Sequence, residues 1–127
     1  MLFRSRARAV AQNNWVTLRV LDAREGSPEM LRQINEVIAD VGPQPFALDT
    51  RGLVLLYTSK PGDALADLEA AVGFAASPTN LFHLAECYKK LGRDGDVKDA
   101  LDRAKLLGLK RESLHPLEAK DYDALTK

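Results

Sequence analysis

An internal repeat of 33 residues is the feature of this sequence that most constrains its fold. When the chain is shifted against itself by this period, residues of similar size align along two predicted helices: Leu48 with Leu81, Leu55 with Tyr88, Leu68 with Leu101, and Ala71 with Ala104. One helix pair cannot bury its apolar face alone, so pairs repeated at such a period stack into a solenoid. We therefore predict one all-α domain, an antiparallel helix-pair solenoid of about seven helices.

Small residues occupy the positions where the two helices of each predicted pair must come close. Gly52 and Ala64 meet this need in one pair, and Ala85 and Val97 are their equivalents one period later. Helices approach closely only where the side chains between them are small. The pattern predicts direct helix–helix contact within each pair.

Serine, proline and glycine mark the predicted helix boundaries. Ser27-Pro28 and Ser77-Pro78 each combine an N-cap serine with a first-turn proline, whose missing N–H costs no hydrogen bond there. Gly42 is typical of a left-handed helix end. A last short helix is expected between Pro116 and about Leu125.

Composition agrees with a helical globular chain and argues against several partners. The 127 residues include 17 Ala and 20 Leu, and 18 Lys and Arg balance 18 Asp and Glu. Zero net charge argues against a nucleic-acid partner, and no apolar run is long enough to insert into a membrane. No phosphate-binding glycine motif occurs, so no cofactor is predicted. The single cysteine, Cys87, excludes a disulfide framework.

The repeat resembles the tetratricopeptide repeat (TPR) family. The residues that match the family pattern by class are Leu48, Gly52, Leu55, Ala64, Leu68, Ala71 and Pro78 in one copy, and Leu81, Leu84, Ala85, Tyr88, Leu101 and Ala104 in the next. The resemblance implies a right-handed superhelix with a degenerate helix pair at 7–41, repeats at 45–77 and 78–110, and a capping helix at 111–127. Arg51 departs from the pattern, because the family prefers a buried aliphatic residue there.

The TPR resemblance implies a non-enzymatic protein–protein interaction module. Such proteins bind a peptide or helix in a concave groove lined by the first helix of each pair, and the corresponding residues here are Trp15, Arg19, Asp49, Leu53, Leu56, Phe82, Glu86 and Lys89. Trp15 and Phe82 have a second interpretation, as ordinary packing between layers. The set lacks the carboxylate clamp of heat-shock co-chaperones, so a C-terminal acidic peptide is not the expected ligand.

Two other non-catalytic functions stay open. The stretch 47–55 also resembles late repeats of long bacterial arrays, which makes this chain a candidate for the C-terminal structural, capping part of such an array. Exposed solenoid ends would alternatively allow the chain to associate with itself as a scaffold, a possible homo-oligomer.

A Cys/His-dependent enzyme is the catalytic alternative. His83 and Cys87 are four residues apart and would share one helix face, but no third catalytic residue or oxyanion site is visible. His115 can be added to a metal site, yet four ligands at short spacing are missing. Asp94-Gly95-Asp96 resembles a fragment of a calcium loop and is interpreted as a turn. We predict neither a catalytic nor a metal site.

The first residues of the chain bear on its location. Residues 1–8 contain three arginines, and no acidic residue precedes Asp22, which is typical of a mitochondrial transit peptide but also of an ordinary helix start. We predict a cytoplasmic protein, with an N-terminal targeting segment as the alternative.

Overall fold

A computed structural model describes residues 5–127, and every regular element in that range is helical. The α-helices are α1 (Arg6–Ala23), α2 (Pro28–Val41), α3 (Pro45–Tyr57), α4 (Pro61–Ala75), α5 (Pro78–Lys90), α6 (Asp94–Leu106) and α7 (Ala119–Leu125), and 3₁₀ turns at Arg111–Ser113 and Pro116–Glu118 precede α7. The predicted all-α class is confirmed. Residues 1–4 of the basic N-terminal stretch lie outside the described residues.

The helix starts follow the predicted period. The helices α3 and α5 both have 13 residues and begin 33 residues apart, at Pro45 and Pro78. The helices α4 and α6 begin at Pro61 and Asp94, also 33 residues apart, and Pro28 of α2 precedes Pro61 by the same interval. The helix pair therefore occurs three times, although α1 is longer, with 18 residues.

The predicted N-caps are present at α2 and α5. Ser27 Oγ accepts a hydrogen bond from the Met30 N–H at 3.1 Å. Ser77 Oγ accepts from the Asn80 N–H at 3.1 Å, and Asn80 Oδ1 accepts from the Ser77 N–H at 2.8 Å, which satisfies two otherwise free donors. The end of α2 differs from the prediction, because Gly42 has φ 85° but ψ 177°, outside the left-handed helical region.

Adjacent helices pack in pairs, α1 with α2, α3 with α4 and α5 with α6, as expected for a helix-pair solenoid. Gly52 and Ala64 are both buried, and a Cβ added at Gly52 would lie 2.6 Å from Cγ of Leu68 on α4. Side chains including Val16 and Leu53 continue the core between the first two pairs. The predicted close contact within the second pair is confirmed.

Arg51, which departs from the TPR pattern, forms an ion pair instead of an aliphatic contact. Its Nε and Nη2 donate to the two carboxylate oxygens of Asp67 on α4 at 2.7 and 2.8 Å, and its Nη1 donates to Asn35 on α2 at 3.0 Å. The guanidinium thus links three helices, and the Asp67 carboxylate is paired although the residue is only 8% exposed.

The C-terminal residues 111–127, here called the tail segment, pack on the last helix pair and also reach the first. Tyr122 stacks near Phe82 of α5, with ring centroids 6.2 Å apart, and Leu125 packs against the same core. At the other end of the domain, Arg24, just after α1, donates from Nη1 to Asp121 Oδ2 at 2.8 Å. The tail segment therefore crosses the face lined by α1, α3 and α5, which we call the first-helix face.

Candidate functional site

A buried histidine lies at the centre of the first-helix face. His83 on α5 is 2% exposed, and both of its ring nitrogens face carboxylates. The Nδ1–H donates to Asp49 on α3, with Oδ1 at 2.8 Å and Oδ2 at 2.9 Å, and the Nε2–H donates to Glu118 Oε2 of the tail segment at 2.6 Å. His83 thus joins two helix pairs and the tail segment.

The two carboxylates favour the charged form of this histidine. Burial by itself opposes the imidazolium ion, but attraction to Asp49, followed by the hydrogen bonds to Asp49 and Glu118, outweighs it and holds the pKa of His83 well above its usual range. An imidazolium ion can donate from both nitrogens at once, which matches the observed partners.

Glu86, one turn further along α5 than His83, adds a third carboxyl group to those of Asp49 and Glu118. Its Oε1 is enclosed and has no hydrogen-bond partner among residues 5–127. Burial raises the pKa of Glu86 to about 8; His83 and Arg24 oppose this rise, and the charges of Glu118 and Asp121 add to it. A carboxyl group with such a pKa binds protons near neutral pH.

A cavity of about 360 Å³ opens beside Glu86, between α5, the end of α3 and the tail segment. Arg24 lies over the Tyr57 ring, 5.5 Å from its centroid, and pairs with Asp121 through both carboxylate oxygens. Lys90 completes the charged lining. Burial, together with nearby acidic groups, holds the pKa of Tyr57 above its ordinary value, so the ring carries no charge at neutral pH.

The structure brings some of the predicted groove residues together. Asp49 and Glu86 each lie next to His83, and Phe82, fully buried, packs between His83 and Tyr122. The packing interpretation of Phe82 is therefore correct.

Other predicted groove residues lie elsewhere. Leu53 is 1% exposed in the core between the first two pairs, and Leu56 is also buried. Trp15 is 55% exposed, and it lies on the side of α1 away from α3, because Thr17, about 200° around the helix from it, bonds to Thr50 of α3. Arg19 is half-buried, and Lys89 is exposed near Asp94 at 4.0 Å.

Cys87 and His83 do not form the dyad considered as a catalytic alternative. Both nitrogens of His83 bond to carboxylates, whereas Cys87 Sγ donates to the Pro61 carbonyl at 3.2 Å. Burial, with a smaller contribution from Glu69, raises the pKa of the Cys87 thiol to about 11, which is the opposite of activation.

Sequence reasoning missed the residues of the tail segment that complete the site. Glu118, Asp121, Tyr122 and Leu125 are spaced as i, i+3, i+4 and i+7, the pattern of one helix face, and all four contact the domain. His115 lies outside the cluster; it is exposed, and its Nδ1 accepts from the Leu117 N–H at 3.0 Å.

Comparison with known proteins adds no assignment. The sequence matches no family model, no curated protein matches it, and no solved structure resembles the fold significantly. The TPR resemblance therefore stays a prediction. Within residues 5–127, none of the helices is both long enough and apolar enough to cross a membrane.

Proposed function

We propose that the protein is a non-enzymatic protein–protein interaction module, related to TPR proteins, that binds a short helix on its first-helix face. The observation that carries the proposal is the tail segment, because a helix of its own chain already lies on that face. Its anchors at i, i+3, i+4 and i+7 follow the spacing by which amphipathic helices dock into grooves.

The contacts of the tail segment define the ligand that this face accepts. Tyr122 supplies an aromatic anchor beside Phe82, Glu118 accepts from His83, and Asp121 pairs with Arg24. The expected partner presents a helix in which two acidic side chains precede an aromatic residue, as Glu118 and Asp121 precede Tyr122 here. Both are side-chain carboxylates, so no terminal carboxylate is required.

A partner helix must displace the tail segment, since both use the same contacts. The tail segment is covalently attached, which gives it an effective concentration of the order of millimolar. Binding in trans is therefore weak in the intact chain and strengthens when the attached helix is weakened.

The experiment uses a fluorescent peptide of residues 111–127 and measures its anisotropy with the full-length chain. In the test variant, Tyr122→Ala and Leu125→Ala weaken the attached helix. Lys120→Ala is the matched control, because Lys120 lies on the exposed side of the same helix. We expect the double variant to bind the peptide at least tenfold more tightly than the wild type and the control. Equal affinity for all three chains would refute the proposal.

Self-association is the second candidate function, and an apolar patch on α1 that residues 5–127 leave exposed favours it. Trp15 and Leu18 are 55% and 40% exposed and lie within one turn of each other. An exposed tryptophan contributes most to binding free energy when a partner buries it. Light scattering at millimolar concentration tests this: a dimer that Trp15→Ala dissociates supports it, and a monomer excludes it.

A further inference from the structure

Three side chains of the kind that bind metals meet on the first-helix face. One ligand atom each from His83, Glu86 and Glu118 lies within 4.8 Å of the others. His83 and Glu118 are 2% and 3% exposed, so these groups are withdrawn from water. His83 and Glu118 are hydrogen-bonded to each other, but Glu86 does not take part in this hydrogen bond.

Glu86 provides a second, independent observation, an enclosed oxygen without a partner within residues 5–127. Its enclosed Oε1 has no hydrogen-bond partner among the described residues, although a buried carboxyl oxygen without a partner is costly. The carboxyl group of Glu86 belongs to the three-residue cluster, so its unsatisfied oxygen lies on the group that faces His83 and Glu118.

We propose that His83, Glu86 and Glu118 bind one divalent transition-metal ion through His83 Nε2 and one oxygen from each glutamate. Two protons leave to solvent when the metal binds, the one on His83 Nε2 and the one that the Glu86 carboxyl group holds near neutral pH. Asp49 already accepts from Nδ1–H at 2.8 Å, and this carboxylate–imidazole contact is the one that orients histidine ligands in metal sites.

The surroundings provide access and a suitable charge. Glu86 lines the cavity of about 360 Å³, through which an ion can enter. Of the cations on that cavity, Arg24 is paired with Asp121, and Lys90 is exposed. With three carboxylates around a neutral imidazole, a divalent ion leaves the group of Asp49, His83, Glu86 and Glu118 with one net negative charge.

The ligand set selects the class of ion. An imidazole nitrogen suits zinc and other late first-row ions, and carboxylates also suit manganese, whereas magnesium prefers an all-oxygen shell. Zn²⁺ and Mn²⁺ are therefore the ions expected at this site, and Mg²⁺ is expected to bind at least about a hundredfold more weakly than Zn²⁺.

The test titrates the chelator-treated full chain with Zn²⁺ in a calorimeter. Glu86→Gln removes a ligand without breaking a hydrogen bond of Oε1, so the fold is expected to persist, and Glu112→Gln on an exposed 3₁₀ turn is the matched control. We expect one ion per chain, an affinity at least tenfold weaker in Glu86→Gln, and an unchanged affinity in Glu112→Gln. Equal affinities in all three chains, or no stoichiometric binding below 1 mM Zn²⁺, would overturn the proposal.

The two histidines of the chain allow a measurement that does not depend on a variant of the site. Paramagnetic Mn²⁺ should broaden the imidazole resonances of His83 at substoichiometric concentration and leave those of exposed His115 sharp. Broadening of His115 first would show an adventitious surface ion only and would overturn the proposal. The metal site does not rest on the proposed helix binding, and neither readout uses a peptide.

Discussion

The contact between Gly52 and Leu68 sets how closely α3 and α4 can pack, and Gly52→Ala tests it. The new Cβ would lie 2.6 Å from both Cγ and Cδ2 of Leu68, well inside van der Waals contact. Leu68 is fully buried, and close-packed interiors leave a side chain little room to move. Overpacking of this kind costs about 1–3 kcal/mol, and alanine returns about 1 kcal/mol through its higher helix propensity. We expect a net loss of up to about 2 kcal/mol of unfolding free energy.

Thermal and urea unfolding, followed by circular dichroism, measure this loss. For a domain of this size, 1 kcal/mol corresponds to roughly 4 °C, so the melting temperature should fall by up to about 8 °C. Gly73→Ala is the matched control on α4, where an added Cβ meets nothing within 4 Å among residues 5–127, and it should gain up to about 1 kcal/mol. If Gly52→Ala stabilises the protein as much as Gly73→Ala does, the close-packing argument is wrong.

Three further predictions concern the site and its surroundings. Because burial raises the pKa of Glu86 to about 8, this group holds a proton in the folded chain but not in the unfolded chain between about pH 4.5 and pH 8, and His83, whose pKa is also raised, acts in the same direction above about pH 6.5. With chelator present, unfolding free energy should therefore fall by roughly 2–4 kcal/mol from pH 5 to pH 9, and Glu86→Gln should flatten this profile; identical profiles would contradict the assignment. A double-mutant cycle with Arg24→Ala and Asp121→Ala should give a coupling of about 0.5–1 kcal/mol, since the pair is bidentate but partly exposed, and zero coupling would mean that it does not hold the tail segment. The Cys87 thiol, with its pKa raised to about 11, should react slowly with an aromatic disulfide at pH 8 and rapidly in urea, and fast reaction of the folded chain would show that the thiol is accessible.

The fold could be predicted from the sequence because its determinants are local. Ser27 and Ser77 begin helices through contacts within three residues, and the prolines that follow them need no distant partner. The 33-residue period then fixes which helices pair. The sequence shows that Arg51 departs from the TPR pattern. Its partners Asn35 and Asp67 become evident only in the structure, where α3 lies between α2 and α4.

The candidate site could be predicted only in part, because its contacts connect residues about one period apart. Thr17 bonds to Thr50 across 33 residues, Asp49 to His83 across 34, and His83 to Glu118 across 35. Because repeats stack in register, positions about one period apart come together. Complementary polar residues at this separation in the sequence can therefore indicate such a site. To predict the contact between His83 and Glu118, one must also know that the tail segment packs against α5 in the place of a further, shortened first helix. Since that helix reaches Arg24 of the first pair through Asp121 and packs on the last pair through Tyr122 and Leu125, a ligand that displaces it would free both pairs at once.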